Sequence, residues 1–323
     1  MTFCPALAVF ARGLVFDRWL AVSDVVRTRQ AMTPNPMEVQ LEQVRQRMAD
    51  ALAETVLPRM VGDCRRLVGT GKMLRARLIL RLASAQDLPA PISIAAAAAV
   101  ELIHAASLLH DDVIDGGVLR RNLPAFWKER GATGAILVGD LMLFKALDLL
   151  VRAEAPRLLA DLVRYTGEIC NAEAEQELLS GSGPATPDRC MDVNRRKTGA
   201  LFAFAAGVGG GDDPVRDAAL QRAGYALGTA YQLADDFLDV AGDEATAGKT
   251  LGRDRDRQIQ TAADLFPNGM ADAQAARIAL QSEALATLEA WPTLQGAVRE
   301  YRELDFNPAL NQWLVGGAFV NAC

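Results

Sequence analysis

An acidic pattern, Asp-Asp-x-x-Asp, occurs twice in this sequence, at residues 111–115 and 235–239. On a helix, the first and last carboxylates of each copy lie on one face because they are four residues apart. Each copy follows an apolar run, so an exposed acidic helix end explains it poorly. From the usual frequency of Asp, two copies are expected by chance about 0.002 times in such a chain. The copies supply the first candidates for chemistry: Asp111, Asp112, Asp115, Asp235, Asp236 and Asp239.

The chemistry that suits clustered carboxylates is metal binding. Like charges this close repel, and each raises the pKa of its neighbours unless a cation lies between them. Carboxylate oxygens are hard ligands, and Mg²⁺ is the hard cation usually found between carboxylates and phosphates. Two such motifs facing each other would hold a diphosphate bridged by metal ions. Calcium storage is less well supported, because the sequence has no twelve-residue loop with a central Gly and a final Glu.

Basic residues near the two motifs point to the same kind of ligand. Each alone is more often a solvated side chain, but together, in a chain of net charge −6, they are typical of a diphosphate site. His104, seven residues before Asp111 on the same helical face, is predicted to contact phosphate. For His110, a packing role and a functional role are equally well supported. The basic residues are Lys72, Arg75, Arg120, Arg121, Lys197 and Lys249.

The elements that must position these residues are predicted to be helices. Apolar residues recur at three- and four-residue spacing, whereas the alternation typical of strands is rare. Asp213 and Pro214 resemble an N-cap followed by Pro at the first helical position, and Pro58 should kink or restart its helix. The predicted fold class is therefore all-α, a large single-domain antiparallel helical bundle. Helical periodicity covers residues 38–68, 72–85, 91–115, 134–152, 157–180, 192–207, 215–240 and 273–290.

Composition narrows the class of protein. The chain has 323 residues, 50% hydrophobic and 23% charged, which is enough for a large core and unlike a disordered chain. The negative net charge argues against broad attraction to nucleic acid. Five scattered cysteines without a C-x-x-C pair favour a reducing, cytoplasmic location. The uncharged run Leu88–Val100 is too short for a transmembrane segment. Residues 1–35 are predicted to be an N-terminal extension to a domain spanning 36–323.

The stretches around the two motifs resemble the trans-isoprenyl diphosphate synthases, which make farnesyl, geranylgeranyl and longer polyprenyl diphosphates. Residues 101–115, ELIHAASLLHDDVID, are similar to the family's first aspartate-rich motif, and residues 231–239, YQLADDFLD, with Gly242-Asp243 and Gly248-Lys249, to its second. The resemblance implies an all-α bundle of the isoprenoid synthase type around a central cavity, Mg²⁺ as cofactor and a homodimer. It also implies that the protein condenses an allylic prenyl diphosphate with isopentenyl diphosphate, 1′-4 and head to tail, and releases pyrophosphate.

The resemblance assigns a role to each candidate residue. The six aspartates and Lys197 are implied to be catalytic. Metal ligands are implied at Asp111, Asp112, Asp115, Asp235 and Asp239. The allylic diphosphate would be bound by Arg120, Lys197, Thr198, Gln232 and Lys249. The diphosphate of isopentenyl diphosphate would be bound by Lys72, Arg75, His104 and Arg121.

Four positions depart from the family pattern. The first three are tolerable in physical terms, whereas the last bears on how the site closes over the diphosphate. The departures are Met73 for a second cation, Ala76 for Pro, Asn122 for the Gly after the arginine pair, and Gln258 or Ile259 for a second Lys.

The length of the product depends on the residues one helical turn before the first motif. The position four residues before Asp111 is about 6 Å deeper along the helix, at 1.5 Å per residue. Shorter-chain relatives often carry aromatic residues at this level, whereas this chain has Ala106 and Ser107. We therefore predict an open floor and a product of twenty carbons or more. Deeper candidates for the stop are Ile103 on the same helix and either Met142 or Phe144 on the next, and the sequence does not indicate which of the two faces the cavity.

Two other classes of protein are alternatives. A terpene cyclase shares the bundle and the first motif, but usually carries an Asn/Ser/Glu metal motif in place of the second Asp-Asp-x-x-Asp and needs no isopentenyl site. A non-catalytic regulatory subunit of a heteromeric synthase typically lacks some of the aspartates, and none of the six is missing here. The motifs favour an active synthase over both.

Overall fold

The computed structural model describes residues 35–68, 71–178, 186–241 and 262–314, and these are almost entirely helical. The predicted all-α fold class is confirmed. The chain forms two compact units, Met1–Val39 and Gln40–Cys323. The predicted extension, residues 1–35, lies outside the described residues except for its last position.

The helices are numbered in chain order. They are α1 Pro36–Ala53, α2 Leu57–Val61, α3 Arg65–Val68, α4 Leu74–Ala85, α5 Ala90–Ile114, α6 Phe126–Arg152, α7 Pro156–Leu178, α8 Pro187–Asn194, α9 Ala200–Gly207, α10 Pro214–Ala241, α11 Ala262–Leu265, α12 Met270–Ala286, α13 Pro292–Tyr301 and α14 Asn307–Leu314. Between them lie a hairpin of β1 Leu119–Arg120 and β2 Leu123–Pro124, a 3₁₀ turn at Val208–Gly210, and π-helical turns at Arg195–Gly199 and Arg302–Phe306.

Helix α5 forms the core of the main unit. Every residue from Ala95 to Ile103 is at most 6% exposed, because a run of small Ala side chains lets other helices pack closely around it. Helix α5 packs chiefly against α6 and α4. By length and hydropathy α5 could cross a membrane, but 61% of its apolar window is buried inside the fold, as in the core helix of a bundle.

Two predicted helix starts are confirmed. Asp213 Oδ1 accepts hydrogen bonds from the backbone N–H groups of Val215 and Arg216, at 3.0 and 3.1 Å, and Pro214 begins α10. Pro58 lies in the first turn of α2, where the helix restarts after α1 has ended. A helix N-terminus leaves backbone N–H groups unpaired. The Asp213 side chain accepts from two of them, and proline in the first turn has no N–H to be left unpaired.

The predicted helix at 192–207 is interrupted by the π-helical turn Arg195–Gly199. This turn packs against α10 at a pair of glycines, where a Cβ on Gly228 would lie 2.6 Å from the Cα atom of Gly199. Only glycine allows the two backbones to approach so closely. Periodicity did not predict the turn, because a π turn adds one residue to the helical repeat. As a result, Lys197 and Thr198 lie directly against the helix that carries the second aspartate motif.

Helix α6 begins at Phe126, eight residues before the predicted start at 134. Gly131 has φ 75° and kinks the helix near its first turn. This left-handed residue breaks the apolar repeat, so a periodicity count starts only after it. The other predicted helices in the main unit agree with the structure to within a few residues.

A tight β-hairpin follows the first aspartate motif. Leu119 pairs with Pro124 and Arg120 with Leu123, so the turn consists of Arg121 and Asn122 alone. Both turn residues have positive φ, 55° and 61°, as a type I′ hairpin turn requires. Asn tolerates this conformation better than other residues with a Cβ, which explains how Asn122 can stand where the family usually has Gly. The turn fixes the direction of the arginine pair.

Candidate active site

Arg120 lies between the two aspartate motifs. Its Nη2 lies 2.5 Å from Asp112 Oδ1, and its Nε lies 3.0 Å from the same oxygen. Burial favours a lower pKa for Arg120, but the hydrogen bonds to Asp112 and the charges of Asp112, Asp111 and Asp235 raise that pKa. Asp111 and Asp112 lie at the end of α5, whereas Asp235 lies on α10. The structure therefore brings both motifs to one site.

Asp111 is in an environment that favours a bound cation. Burial raises its pKa to about 7, Lys197 acts against this shift, and the charges of Glu173 and Asp115 add to it. Asp111 and Asp115 are close in space, as their spacing on one helical face predicts. The carboxylates repel one another, and a metal ion between them would remove this repulsion.

Lys197 faces the first motif from the π-helical turn. Its Nζ lies 2.6 Å from Glu173 Oε2 on α7. Burial favours a lower pKa for Lys197, but the charges of Asp111, Glu173 and Asp115 raise it, so the ammonium form is stabilised. Sequence analysis did not identify Glu173. Its position on α7 carries no motif, and nothing in the sequence indicated which face of α7 meets Lys197.

Four polar side chains form a chain of hydrogen bonds between the π-helical turn and α10. Thr198 Oγ1 donates to Gln232 Oε1 at 2.6 Å, and Gln232 Nε2 donates to Asp236 Oδ1 at 2.9 Å. Asn194 Nδ2 donates to the other carboxylate oxygen, Asp236 Oδ2, at 3.2 Å. Thr198 and Gln232, both predicted to bind the allylic diphosphate, are therefore bonded to each other here. Sequence analysis did not identify Asn194.

The residues predicted to bind isopentenyl diphosphate are also brought together. Burial lowers the pKa of His104 well below its usual value, and the charges of Arg75, Arg121 and Arg120 lower it further. His104 therefore lies among three guanidinium groups, a suitable place for an anion. Gly71, next to Lys72, lies against Arg121, since a Cβ on this glycine would be 3.0 Å from Arg121 Nη2.

Lys72 lies between this cationic group and the second motif. Its Nζ donates a hydrogen bond to the backbone carbonyl of Ala309 at 2.6 Å. Burial lowers the pKa of Lys72 to about 8, and the charge of Asp235 acts in the opposite direction. Met73, which departs from the family pattern, is 3% exposed and has a left-handed backbone with φ 51°. Its side chain packs in the core and supplies no charge to the site.

Arg75 is the most enclosed of the predicted phosphate ligands. It is 7% exposed, and its guanidinium carbon lies 4.8 Å from the centre of the Phe202 ring. Burial lowers the pKa of Arg75, and the nearby charge of Glu101 partly offsets this shift. Glu101 itself accepts a hydrogen bond from the backbone N–H of Ala76 at 3.0 Å, which holds the start of α4 against α5.

His110 packs against α6. Its Nε2 lies 3.2 Å from the carbonyl oxygen of Ile136 and 3.5 Å from Asp140 Oδ1. A Cβ on Gly139 would overlap the imidazole ring and lie 2.7 Å from its Cδ2 atom, so only glycine leaves room for His110. Of the two roles that the sequence allowed, this geometry supports packing at the base of the first motif.

The candidates for the floor of the site differ in exposure. Ser107 is half-buried and donates a hydrogen bond to the carbonyl of His104 at 3.0 Å, whereas Ala106 is fully buried. Ile103 and Met142 are buried too, at 2% and 1% exposure. Of the alternatives Met142 and Phe144, Met142 is buried in the bundle, whereas Phe144 is 70% exposed. The reason is helical phase, because Phe144 is two residues from Met142 and projects from the other side of α6.

The metal-binding capacity follows from the donor set. In the part of the chain that the structure describes, no group of three or more His, Cys, Asp or Glu side chains forms a ready-made metal cage. Mg²⁺ does not require one, because it keeps several waters and is usually held by one or two carboxylates together with substrate phosphates. Two hard carboxylates four residues apart in each motif fit this mode. Asp112, also a predicted ligand, is paired with Arg120.

Several predicted features lie outside the described residues. They are Lys249, the Gly242-Asp243 and Gly248 positions, and the departures at Gln258 and Ile259.

Comparison with known proteins identifies the same family. The family model described as polyprenyl synthetase matches residues 62–281. The chain is 32% identical to a short chain isoprenyl diphosphate synthase of Methanothermobacter thermautotrophicus, over 73% of this chain and 71% of that protein. It is 35% identical to an octaprenyl diphosphate synthase of Haemophilus influenzae, over 58% of this chain and 57% of that protein.

Solved structures agree with this result. A polyprenyl synthase from Caulobacter crescentus, crystallised with calcium and isoprenyl diphosphate, matches with a TM-score of 0.61 and 26% identity, over 85% of this chain and 93% of that one. The relatives include enzymes named for short and for long products, so the comparison leaves the chain length of the product undetermined.

Proposed function

The chain belongs to the polyprenyl synthetase family and is a prenyltransferase, and we propose that it condenses an allylic prenyl diphosphate with isopentenyl diphosphate, 1′-4 and head to tail, releasing pyrophosphate. The observation that carries the proposal is that both aspartate motifs meet around Arg120, with Lys197 facing the first of them. Acidic and basic groups of this kind are what a metal-bound diphosphate requires.

We infer that Mg²⁺ is the cofactor and that Asp111, Asp115, Asp235 and Asp239 would hold it, with Asp112 as a further ligand. When bound, the metal neutralises the diphosphate and makes it a better leaving group. The calcium and isoprenyl diphosphate in the Caulobacter crescentus structure support a divalent metal in this fold. The crowding of carboxylates around Asp111 supports the same role here.

The cationic side chains divide into two sets. Arg120 and Lys197 would hold the allylic diphosphate, because both lie at the first motif and both carry stabilised positive charges. Lys249 remains a predicted ligand of the same group. Arg75, Arg121 and His104 would hold the diphosphate of isopentenyl diphosphate, since both guanidinium groups act on His104. Lys72 would join them, because the neighbouring Gly71 lies against Arg121.

The reaction then needs positioning more than a protein nucleophile. The C–O bond of the allylic diphosphate ionises and leaves an allylic cation. The double bond of isopentenyl diphosphate then attacks the carbon that carried the diphosphate. The departing pyrophosphate, still held by Arg120 and Lys197, takes the proton that restores a double bond. The apolar helices α5 and α6 beneath the motifs would keep water away from the cation.

We propose a product of twenty carbons or more. Ser107 is on the same face of α5 as Asp111 and has a small, half-buried side chain, so the prenyl chain can extend past it. Ser107→Phe is therefore expected to shorten the products, as measured by chromatography of the dephosphorylated alcohols. Ser282→Phe, the same change at an exposed position of α12, is the control. An unchanged product length in Ser107→Phe would place the floor elsewhere.

We also propose that the protein is a homodimer. Helix α6 exposes a stripe of large apolar side chains seven residues apart: Leu137, Phe144 and Val151, at 57%, 70% and 58% exposure. Seven residues are close to two helical turns, so the three side chains lie along one side of the helix. A second copy of this chain would bury that side, which is costly to leave in water.

The proposed function is tested by incubating the protein with Mg²⁺, labelled isopentenyl diphosphate and a series of allylic primers. We expect incorporation of label with at least one primer, and none with Asp111→Asn or Asp235→Asn. Glu289→Gln, the corresponding change at an exposed position, should leave the rate unchanged. If the folded wild-type protein incorporates no label with any primer, a regulatory subunit becomes the better assignment.

A further inference from the structure

We propose that Asn194 is a positioning residue of this site. It holds Asp236 in place and thereby ties the π-helical turn that carries Lys197 to the helix that carries the second aspartate motif. The inference rests on the proposed function, because it concerns the binding of the same diphosphate. It goes beyond the family motifs, since Asn194 belongs to neither aspartate motif.

The contacts that support it form one connected set. Asn194 donates to Asp236 Oδ2 at 3.2 Å, and Gln232 donates to Asp236 Oδ1 at 2.9 Å, so each carboxylate oxygen accepts a hydrogen bond from a different element. Thr198 completes the set by donating to Gln232 at 2.6 Å. The amide of Asn194 also lies 3.9 Å from Cys190 Sγ, one turn earlier on α8.

Burial makes these contacts costly to lose. Asn194 and Thr198 are each 9% exposed, and Asp236 is 5% exposed. A carboxylate in such a place needs hydrogen-bond donors, because water cannot replace a donor that is removed. An apolar side chain at position 194 would remove the donor that reaches Asp236 from α8.

The spacing of the set shows what it positions. Gln232 and Asp236 are four residues apart on α10, and Asn194 and Thr198 are four apart across the π-helical turn, so two pairs face each other. Gln232 is three residues before Asp235 and seven before Asp239, so this contact lies directly beside both aspartates on α10. The set therefore fixes the rotation of α10 that turns these two aspartates into the site.

The same contact also holds Lys197, which faces the first aspartate motif, in position. Lys197 lies between Asn194 and Thr198 in the chain, and its Nζ meets Glu173 2.6 Å away. If Asn194 released Asp236, the junction between α8 and the π-helical turn would lose a side-chain hydrogen bond to α10. Lys197 and the second motif would then no longer be held at a fixed separation, and a diphosphate between them would bind less tightly.

The test uses Asn194→Leu, which keeps the size of the side chain and removes its donor. We expect the dissociation constant of Mg²⁺–pyrophosphate, measured by titration calorimetry, to rise about ten- to a hundredfold. The KM for the allylic substrate should rise with it, while the KM for isopentenyl diphosphate stays unchanged. Asn171→Leu, the same substitution at an exposed position of α7, should bind as the wild type does.

A double-mutant cycle separates positioning from general damage. If Asn194 acts through Asp236, then Asn194→Leu combined with Asp236→Asn will bind Mg²⁺–pyrophosphate no more weakly than Asp236→Asn alone. Asn194→Ala serves in the same cycle if the leucine variant does not fold. Unchanged binding in either single variant at position 194, or fully additive losses in the cycle, would overturn the proposal.

Calorimetry also separates this inference from the proposed function, because it requires no turnover. A wild-type protein that binds Mg²⁺–pyrophosphate but transfers no prenyl group would contradict the proposed function only. A wild-type protein that does not bind Mg²⁺–pyrophosphate would contradict both.

Discussion

Asp111, Asp115 and Glu173 place three carboxylates around the ammonium group of Lys197. The sequence predicted the first two on one helical face, because they are four residues apart in a helix. It could not predict Glu173 or Asn194, since each reaches the site from another helix through tertiary packing. Local spacing therefore identified the residues within each motif, whereas the residues that support them depended on the fold.

The raised pKa of Asp111 predicts how the stability of the metal-free protein depends on pH. Its pKa is 3.8 for the ordinary group and about 7 in the folded protein, so the folded state binds more protons than the unfolded state between these values. The contribution of Asp111 to stability is therefore present below pH 4 and is lost as the pH rises through 7. Asp111→Asn should increase the free energy of unfolding at pH 8 by on the order of 2 to 4 kcal/mol.

Urea unfolding of both proteins without metal, at pH 8 and at pH 4, measures this effect. The gain should fall below about 1 kcal/mol at pH 4, where Asp111 is protonated in the folded state and about 40% protonated in the unfolded state. Glu289→Gln, at an exposed position, should show no such gain. Equal stability of Asp111→Asn and wild type at pH 8 would contradict the predicted cost of burying the ionised Asp111.

Helices were the elements best predicted from the sequence, and their irregular parts were predicted least well. The apolar repeat located α5 and α10 to within a residue or two, because long buried helices impose their period on the sequence. The π-helical turn and the type I′ hairpin have no apolar period. Both lie at the site, where they position Lys197 and the arginine pair.

The close packing of α5 on α6 gives a prediction about Gly139. Gly139→Ala should destabilise the protein by about 1 to 3 kcal/mol, because the new methyl group overlaps the His110 ring. In a His110→Ala background the overlap is absent, and the same change should instead stabilise α6 by about 0.5 to 1 kcal/mol. Urea unfolding of the four proteins measures this reversal of sign.

Gly167→Ala on α7 is the matched control. A Cβ there would meet nothing within 4 Å, so this substitution should be neutral or stabilising in the wild-type background. If Gly139→Ala lowered the free energy of unfolding equally with and without His110, contact with the His110 ring would not explain why position 139 requires glycine.

At the scale of the whole molecule, one all-α bundle was predicted and is found in the main unit. The spacing of apolar residues was sufficient for this, because it predicts broad apolar helical faces and almost no strands. The sequence did not predict which side of each helix faces the interior of the bundle. Met142 and Phe144 illustrate this, since the sequence allowed either in the interior and the structure places Phe144 on the surface.

The exposed stripe on α6 leads to a prediction about assembly. Phe144→Asp should convert the proposed homodimer into monomers, because a charge in the centre of a buried apolar interface is strongly unfavourable. Light scattering after size-exclusion chromatography measures the mass in solution. Val215→Asp is the control, because Val215 is 66% exposed and lies outside the stripe. A wild-type protein that is monomeric at all concentrations would contradict the proposed homodimer.

The hydrogen bond from Lys72 to the carbonyl of Ala309 has a consequence for biosynthesis. The two residues are 237 positions apart, so the ribosome adds the second roughly 10 to 50 s after the first at ordinary rates of translation. In the last part of that interval, after residue 239 has been added, the nascent chain holds both acidic motifs but lacks the carbonyl partner of this lysine. Polypeptides that terminate early, before α14, would therefore carry an incomplete substrate pocket.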